Sequence, residues 1–459
     1  MAVIIQNGTL LLPGGPRKAD LRLEEGKIAQ IGERLSSEGC RMIDARGKLV
    51  FPGLIDTHTH FEMNKGLPNE TADDFASGTR AALAGGTTCI LDFATQDRGD
   101  TLAHALETWH ERADGRCSCH YGFHMAVTDW NERTCHELAA MEKGGVTSYK
   151  IYMAYDALRL SDGDAYELVR AVGTGGIVGC HCENGDLVNA GVAAQKAAGQ
   201  LTPSAHPVSR PAAVEAEAVS RWLTVGELVG CPVNIVHLST ERGLEMVRAA
   251  RKRGQKVYVE SCPQYFLLDE SRYLLPGFES AKFVLSPPLR KHEDTEALWE
   301  ALRAGEIDTV GTDHCSFHFN GVKTLGRNDF SKIPNGIPGV EHRAVLMYTY
   351  GVAAGRISLG DFVRVLSENP AKLFGLYPRK GVLAEGSDGD IVIFDPNTTS
   401  RITAKAQYQN VDYTPYEGME VKGRVDTVLL MGETAVSGGQ PVLTGRGRYV
   451  RRDAPIFWR

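Results

Sequence analysis

The sequence predicts an α/β protein: a (β/α)8 TIM-type barrel with a small β-sandwich-like domain formed by both chain ends. Three observations lead to this prediction. The 459 residues are too many for one small core and suit a barrel of roughly 250–350 residues plus a smaller unit. Apolar runs alternate with helical segments in the middle of the chain, and short β-like runs occupy both ends. We expect parts of the β domain at 1–50 and 376–459, the latter with a tail, and the barrel at 51–375.

The two chain ends share a pattern of short strands separated by turn residues. Near the N-terminus, Leu21 and Leu23 alternate with polar residues, and Ile28 and Ile31 continue the alternation. Similar runs return near the C-terminus at 386–396, 423–436 and 445–452. One small β unit built from both ends is the most economical interpretation.

Eight apolar runs in the middle of the chain are predicted to be the barrel strands. They cover residues 49–58, 87–93, 120–127, 147–153, 175–181, 232–238, 255–261 and 307–313. Helical segments lie between them, for example at 71–86, 101–114 and 212–230. Strands of a parallel barrel are buried on both faces and are therefore nearly continuous in apolar residues, as these are.

Composition and charge limit the class of partner. Basic residues number 50 and acidic residues 57, the net charge is −7, and no basic stripe is present. This balance argues against nucleic acid as the main partner and favours a small, roughly neutral ligand. The N-terminal run turns polar at Gln6, unlike a signal peptide, and no apolar run approaches the ~20 residues of a membrane span.

The ten cysteines are expected to be free thiols. No secretion signal accompanies them, so we expect a reducing, cytoplasmic location, where disulfides are rare. Cys117 with Cys119, and Cys180 with Cys182, have a spacing that is also found in metal sites. This spacing is weak evidence, and buried thiols on strands are the preferred interpretation.

Residues able to bind metal stand near the ends of the predicted strands. The active site of such a barrel lies at the C-terminal ends of its strands. The candidates there are His58, His60, Lys150, His181, His237 and Asp313. His58 and His60 are two apart on a strand and point the same way, so both can bind one ion. Imidazoles and a carboxylate suit a divalent metal such as zinc, and the ten remaining histidines are interpreted as surface or core residues.

Lys150 and Asp56 each have two open interpretations. Burial and nearby cations would lower the pKa of Lys150, and its neutral amine could then react with carbon dioxide to form a carbamate that bridges two metals. A lysine paired with an acid is the alternative, and sequence spacing does not decide between the two. Asp56 either supports the site from its position beside His58 or forms a structural turn.

The motifs around these residues resemble a known family. They are GLIDTHTHFE, SYKIYMAYD, GCHCENGD, NIVHLST, VESCPQYFLLD, LSPPLR, GTDHCSF and IPNGIPGVE, followed by PAKLFGLYPRKG and GSDGDIVIFDP. Together they resemble the dihydropyrimidinase/hydantoinase group of the amidohydrolase superfamily, and the short bacterial phenylhydantoinases are especially similar. The resemblance extends over nearly the whole chain.

The resemblance implies two divalent metal ions, with zinc as the first choice and manganese as the second. His58 and His60 would bind the more buried ion, and His181 and His237 the more exposed one. Lys150, as its carboxylated form, would bridge the two ions.

The resemblance also implies the catalytic and substrate-binding residues. Asp313 would ligate the buried metal and act as general base. Tyr155 would hydrogen-bond the substrate and the developing oxyanion, and Ser286 and Asn335 would hold the ring ureide, largely through backbone groups. Without the resemblance, Tyr155 would be interpreted as a packed aromatic residue, and Ser286 and Asn335 as ordinary turn residues.

The implied function is hydrolysis of the ring amide of cyclic ureides, namely 5-substituted hydantoins and dihydropyrimidines, to N-carbamoyl amino acids. Dihydroorotase-like relatives carry an arginine where this chain has Glu62, and an acid there would repel the carboxylate of dihydroorotate. An allantoinase-like hydrolase of another cyclic ureide stays open. A non-catalytic scaffold related to dihydropyrimidinases is disfavoured, because all six ligand positions hold competent residues.

Loops after the first and fourth strands are expected to line the pocket for the ring substituent. The candidates are Met63, Leu67, Tyr152 and Leu158, for which plain packing is the other interpretation. Ring size and stereochemistry stay open. A homotetramer, or else a homodimer, is an expectation from the resemblance.

Overall fold

The computed structural model describes residues 2–459. The N-terminal region forms seven short strands. They are β1 (Ala2–Gln6), β2 (Thr9–Leu12), β3 (Gly15–Lys18), β4 (Asp20–Glu24), β5 (Lys27–Gly32), β6 (Cys40–Asp44) and β7 (Leu49–Pro52). Strands β5, β4, β1 and β6 form a four-stranded sheet in that order.

A parallel barrel follows. Its strands are β8 (Leu54–Thr59), β9 (Thr87–Thr95), β10 (His120–Ala126), β11 (Ser148–Tyr152), β12 (Ile177–His181), β13 (Val233–Ile235), β14 (Val257–Ser261) and β15 (Thr309–Val310). Each strand pairs in parallel with its neighbour in the chain. The ring closes just beyond the ends of β8 and β15, where the N–H of His60 donates to the carbonyl of His314 at 2.8 Å. The predicted (β/α)8 barrel is confirmed.

Helices lie between and after the barrel strands. The α-helices are α1 (Phe75–Ala84), α2 (Leu102–Ala113), α3 (Glu132–Gly144), α4 (Asp162–Val172), α5 (Gly185–Ala197), α6 (Ala205–Ser209), α7 (Ala212–Val229), α8 (Glu241–Lys252), α9 (Pro263–Leu267), α10 (His292–Arg303), α11 (Arg343–Met347), α12 (Leu359–Val363) and α13 (Asn369–Leu373). Short 3-10 helices span Glu270–Leu274, Glu279–Phe283, Lys323–Gly326 and Phe330–Lys332, and π-helical turns span Tyr348–Val352 and Arg364–Glu368. The helices predicted at 71–86, 101–114 and 212–230 are present as α1, α2 and α7. Asp74 and Thr101 cap α1 and α2, which fixes where these helices begin.

Four C-terminal strands complete the β unit. They are β16 (Ile391–Arg401), β17 (Glu420–Leu430), β18 (Glu433–Ser437) and β19 (Gln440–Pro441). They join N-terminal strands in one sheet of order β19-β18-β17-β16-β7-β2-β3. Ile5 and Leu21 of the four-stranded sheet share an apolar core with Ile393 and Leu429 of the seven-stranded sheet. Both chain ends therefore form one sandwich-like unit, as predicted.

Two segments differ from the prediction. The run 49–58 is not one strand, because it divides at Gly53 into β7 of the β unit and β8 of the barrel. A Cβ atom at Gly53 would lie 2.0 Å from Oγ1 of Thr88, so a glycine is needed at this crossing point. The run 445–452 adds no strand to the β unit. Instead Arg452 is buried against the barrel, where it donates to Oγ of Ser148 at 2.6 Å.

The structure can be compared with the predictions about the cysteines and about membrane spans. All ten cysteines are free thiols. Cys117, Cys119, Cys180 and Cys182 are buried beside or within β10 and β12, which agrees with their interpretation as buried thiols. Within residues 2–459, no helix has the length and apolarity needed to cross a membrane.

Candidate metal centre and active site

The six predicted metal ligands converge at the C-terminal mouth of the barrel. All of them line one cavity of about 730 Å³, namely His58, His60, Lys150, His181, His237 and Asp313. His58, Lys150 and His181 lie on β8, β11 and β12. His60 follows β8 directly, and His237 and Asp313 lie in the segments that follow β13 and β15. The barrel therefore brings together residues that are far apart in the sequence.

Four residues of this cavity, among them Asn64 with a φ angle of 56°, have a backbone conformation that residues other than glycine rarely adopt. The φ angle is 67° at Tyr155, 39° at His237 and 52° at Asp313. β13 ends at Ile235 and β15 at Val310, so these strands end before His237 and Asp313 rather than at them as predicted. Strained residues of this kind cluster at functional sites.

His58, His60 and Asp313 form what we call the first ligand group. The Nε2 atoms of His58 and His60 each lie 3.2 Å from Oδ1 of Asp313. One ligand atom from each of the three lies within 4.8 Å of the others, a spacing that suits a single ion. The Nε2 atom of His58 is buried and has no hydrogen-bond partner among residues 2–459. This unsatisfied nitrogen and the donor set fit a divalent cation.

His181 and His237 form the second ligand group. The Nδ1 atom of His181 lies 3.0 Å from the Nε2 atom of His237. Burial lowers the pKa of both imidazoles. Both rings are therefore neutral, and nitrogens of both converge on one point, as metal-binding histidines do.

Lys150 is fully buried beside both groups. Its Nζ atom lies 5.1 Å from the centre of the Phe93 ring and 5.2 Å from that of Tyr152. Within the described part of the chain, Nζ has no carboxylate oxygen within the 4.0 Å of an ion pair. Burial lowers the pKa of Lys150, which favours its neutral amine. Lys150 thus makes no direct ion pair among the described residues, although Asp313 and Glu260 are close enough for their charges to act on its pKa.

Two buried glutamates that the sequence analysis did not single out contact the ligand histidines. Oε1 of Glu260, on β14, lies 2.6 Å from Nδ1 of His58. Oε2 of Glu183 lies 2.9 Å from Nε2 of His181 and also accepts from Nη1 of Arg210 at 2.7 Å. The available signal was weak, because each glutamate is a single acid in or beside an apolar run.

The two glutamates differ in their electrostatic surroundings. Burial raises the pKa of Glu260 to about 7. Burial also opposes ionisation of Glu183, but Arg210 and His181 hold the pKa of that carboxyl at about 2. Burial likewise opposes ionisation of Asp313, yet His58 and His60 hold its pKa below the usual value. Asp313 and Glu183 are therefore ionised at neutral pH.

Asp56 supports the first ligand group rather than forming a turn. One of its carboxylate oxygens accepts from the N–H of His58 at 3.2 Å and from the N–H of Thr312 at 3.0 Å. The other accepts from the hydroxyl of Thr312 at 2.7 Å. Asp56 thus joins β8 to the segment that carries Asp313, so the first of its two interpretations fits the structure.

The predicted substrate-binding residues line the same cavity, namely Tyr155, Ser286 and Asn335. The ring centre of Tyr155 lies 5.3 Å from that of His181. Burial raises the pKa of Tyr155, so its phenol keeps the proton that it could donate. Oγ of Ser286 is buried without a hydrogen-bond partner among the described residues. The N–H of Gly336 donates to the carbonyl of Val284 at 3.1 Å. This hydrogen bond keeps the segment that carries Asn335 next to the segment that carries Ser286.

The cavity continues into an apolar wall. Met63, Tyr152 and Leu158 belong to this wall, as predicted. Leu67 does not line the cavity and is 57% exposed, so that prediction is wrong. Further apolar residues that the sequence analysis missed also line the cavity, namely Phe317, Leu325 and Ile333.

The predicted charge effect of Glu62 is also wrong. Its side chain is buried outside the cavity, where it pairs with Lys65 at 2.6 Å and with Arg116 at 2.5 Å. A balanced charge there cannot repel a substrate carboxylate. Among residues 2–459, no arginine lines the cavity to bind the carboxylate of dihydroorotate, although Lys332 does line it.

Comparison with known proteins places this architecture in a family. Residues 49–435 match the Amidohydrolase family. A D-hydantoinase of Geobacillus stearothermophilus is 44% identical over 456 residues, which cover 98% of this chain and 97% of that protein. A D-phenylhydantoinase of Escherichia coli O1:K1 is 41% identical over 457 residues, which cover 98% of each chain.

Solved structures give the same result. The crystal structure of a dihydropyrimidinase from Brevibacillus agri NCHU1002 matches with a TM-score of 0.97 and 41% identity, covering 99% of both chains. The sequence match and the fold therefore extend over both the barrel and the β unit. The chain belongs to the amidohydrolase family, in the group of the hydantoinases and dihydropyrimidinases.

Proposed function

We propose that this protein is a metal-dependent cyclic amide hydrolase that opens the ring amide of cyclic ureides to give N-carbamoyl amino acids. The observation that carries this proposal is the convergence of all six ligand residues on one cavity with an apolar wall. The relatives named above are hydantoinases and a dihydropyrimidinase. A non-catalytic scaffold would need no such convergence of competent ligands.

Two divalent ions would be held by the chain's own side chains. The first ligand group would hold one ion and the second group the other. Lys150, in its N6-carboxylated form, would supply an anionic bridge between them. Nitrogen and carboxylate ligands suit zinc, with manganese as the second choice. When bound, two such ions polarise the ring carbonyl and lower the pKa of water at the site.

The protein residues would position the substrate and move the proton. Tyr155 would donate its phenolic hydrogen to the carbonyl oxygen as negative charge develops there. The ionised Asp313 would accept a proton from the attacking water and pass it to the ring nitrogen, which leaves as the ring amide opens. Ser286 and Asn335 would hold the ureide of the ring, largely through backbone groups.

The cavity wall favours an apolar substituent on the ring. Met63, Leu158 and Phe317 would surround a group attached to a hydantoin or dihydropyrimidine ring. The substituent of allantoin is a polar ureide, which would need the polar lining residues Asn64, Asn69 and Ser331 as hydrogen-bond partners. Hydantoins with apolar substituents and dihydropyrimidines are therefore the proposed substrates, and another cyclic ureide such as allantoin is the alternative.

We further propose a cytoplasmic enzyme that assembles as a homotetramer, or else as a homodimer. The ten free cysteines support the location, because disulfides are rare in the cytosol. The assembly rests on the family likeness alone. Sedimentation equilibrium of the purified protein would give the number of chains directly.

A substrate panel tests the proposed function. Protein of measured metal content is incubated with phenylhydantoin, dihydrouracil, allantoin and dihydroorotate, and the N-carbamoyl products are identified by mass spectrometry. We expect turnover of the first two and its loss in Lys150→Ala. Failure to turn over either of them, in protein that holds two metals per chain, would overturn the substrate class.

A further inference from the structure

Each ligand group contains one histidine whose second ring nitrogen contacts a buried glutamate. We infer that Glu260 and Glu183 are positioning residues that fix the tautomers of His58 and His181. Each ring then turns a lone pair, rather than an N–H, towards its metal ion. The inference rests on the proposed metal-binding function and extends it to residues that do not themselves bind metal.

The proton of His58 is placed by Glu260. In its ionised form Glu260 can only accept, so the 2.6 Å contact between its Oε1 and Nδ1 of His58 then requires the hydrogen on Nδ1. Nε2 is then the lone-pair nitrogen, and it lies 3.2 Å from Oδ1 of Asp313 with no hydrogen-bond partner of its own. The hydroxyl of Thr57 donates to Oε2 of Glu260 at 2.6 Å and fixes the carboxylate.

Glu183 places the proton of His181 on the other type of ring nitrogen, Nε2. The 2.9 Å contact between Oε2 and Nε2 puts the hydrogen on Nε2. Nδ1 is then the lone-pair nitrogen, and it is the atom that faces Nε2 of His237 at 3.0 Å. Arg210 donates to the same carboxylate oxygen at 2.7 Å, so this glutamate is also fixed.

The two histidines therefore need opposite tautomers, and each glutamate selects the required one. Without such a partner, a neutral imidazole can carry its proton on either nitrogen. A fraction of the rings would then present an N–H to the metal position and could not bind. Partners of this kind affect metal affinity by about 10- to 100-fold when they are removed.

Neutron diffraction on crystals of the metal-free wild-type protein tests the inference without any substitution. We expect a deuteron on Nδ1 of His58 and on Nε2 of His181. The opposite tautomer on either ring would overturn the assignment for that ring.

Two variants and a matched control test whether loss of either glutamate weakens metal binding. Zinc titration against a competing chelator is carried out on Glu260→Leu, Glu183→Leu and Glu215→Leu, because leucine has no oxygen that could accept the imidazole N–H. Glu215 is an equally buried carboxylate whose partners are Ser239 and Arg290. We expect about 10- to 100-fold weaker binding of one zinc ion in each of the first two variants and wild-type binding in the third. The visible spectrum of bound cobalt should lose the contribution of a different ion in each variant.

The outcomes separate this inference from the proposed function. Wild-type protein that binds no metal would overturn both. Wild-type protein that binds two ions, with unchanged affinities in Glu260→Leu and Glu183→Leu, would overturn only the inference. If a variant fails to fold, the neutron result on the wild-type protein decides the question.

Discussion

The Nε2 atom of His58 lies 3.2 Å from the Oδ1 atom of Asp313. His58 lies on β8 and Asp313 follows β15, so this contact joins the first strand of the barrel to the last. Asp56 and Thr312 reinforce the same junction through two hydrogen bonds. The first ligand group is therefore assembled by closure of the barrel, and it should form only when the barrel is complete.

Replacement of Asp313 by asparagine should abolish proton transfer while keeping the shape of the side chain. We expect Asp313→Asn to lower kcat by about 100- to 10,000-fold, the usual contribution of a general base. Metal content must be measured in the same samples. A variant that retains both metals and full activity would show that Asp313 is not the base.

The state of Lys150 can be tested by metal reconstitution. Because burial lowers the pKa of Lys150, its neutral amine should be available to carbon dioxide. Metal-free protein given zinc should regain activity faster in bicarbonate-containing buffer than in buffer purged of carbon dioxide. Lys150→Ala should stay inactive in both buffers. Equal recovery of the wild-type protein in the two buffers would contradict a carboxylated lysine.

Loss of Arg210 should destabilise the fold because Glu183 would become an unpaired buried charge. We expect Arg210→Met to lower the free energy of unfolding by about 3–5 kcal/mol, measured by urea unfolding of metal-free protein. Arg221→Met is the matched control, since Arg221 is partly exposed and pairs with Asp162 and Glu217. The control substitution should lower the free energy of unfolding by no more than about 1 kcal/mol. An equal loss of unfolding free energy in the two variants would contradict the prediction that Arg210 neutralises a buried charge on Glu183.

Lys323 should make stability depend on pH. It is fully buried, donates to the carbonyls of Val284 and Pro334, and burial lowers its pKa from 10.5 to about 7. Between these two values the unfolded chain binds the proton and the folded chain does not. Stability from this group should therefore rise with pH from about 7 upward, by at most about 1.4 kcal/mol per pH unit.

Urea unfolding of the wild-type protein and of Lys323→Met between pH 7 and 9.5 would measure this contribution. The wild-type free energy of unfolding should have the more positive pH slope. Lys196→Met is the control, because Lys196 is a partly exposed residue paired with Asp329, and its slope should match the wild type. Equal slopes for the wild-type protein and Lys323→Met would contradict the lowered pKa.

The barrel and its metal ligands could be predicted from the sequence for a physical reason. Parallel strands are buried on both faces, so a polar residue at the end of an apolar run stands out. His58, His60 and Asp313 were visible in this way. Tyr155 and Ser286 lie on loops with no periodic pattern, so only the family resemblance pointed to them.

Other features depend on contacts that no local pattern encodes. Glu260 meets His58 only after the barrel closes, and Glu183 needs Arg210 from a distant segment. Gly53 is a crossing point between two domains because Thr88 lies against it. The orientation of Glu62 away from the cavity likewise follows from its pairing with Arg116. Each of these features is set by tertiary packing rather than by spacing along the chain.

The most direct test of the account is a titration of metal-free protein with zinc, in which bound metal and the rate of phenylhydantoin ring opening are measured in the same samples. We expect the rate to rise with bound zinc and to level off at two ions per chain, and we expect no turnover by Lys150→Ala. Full activity without metal would contradict the account. So would the absence of turnover in protein that carries two zinc ions per chain.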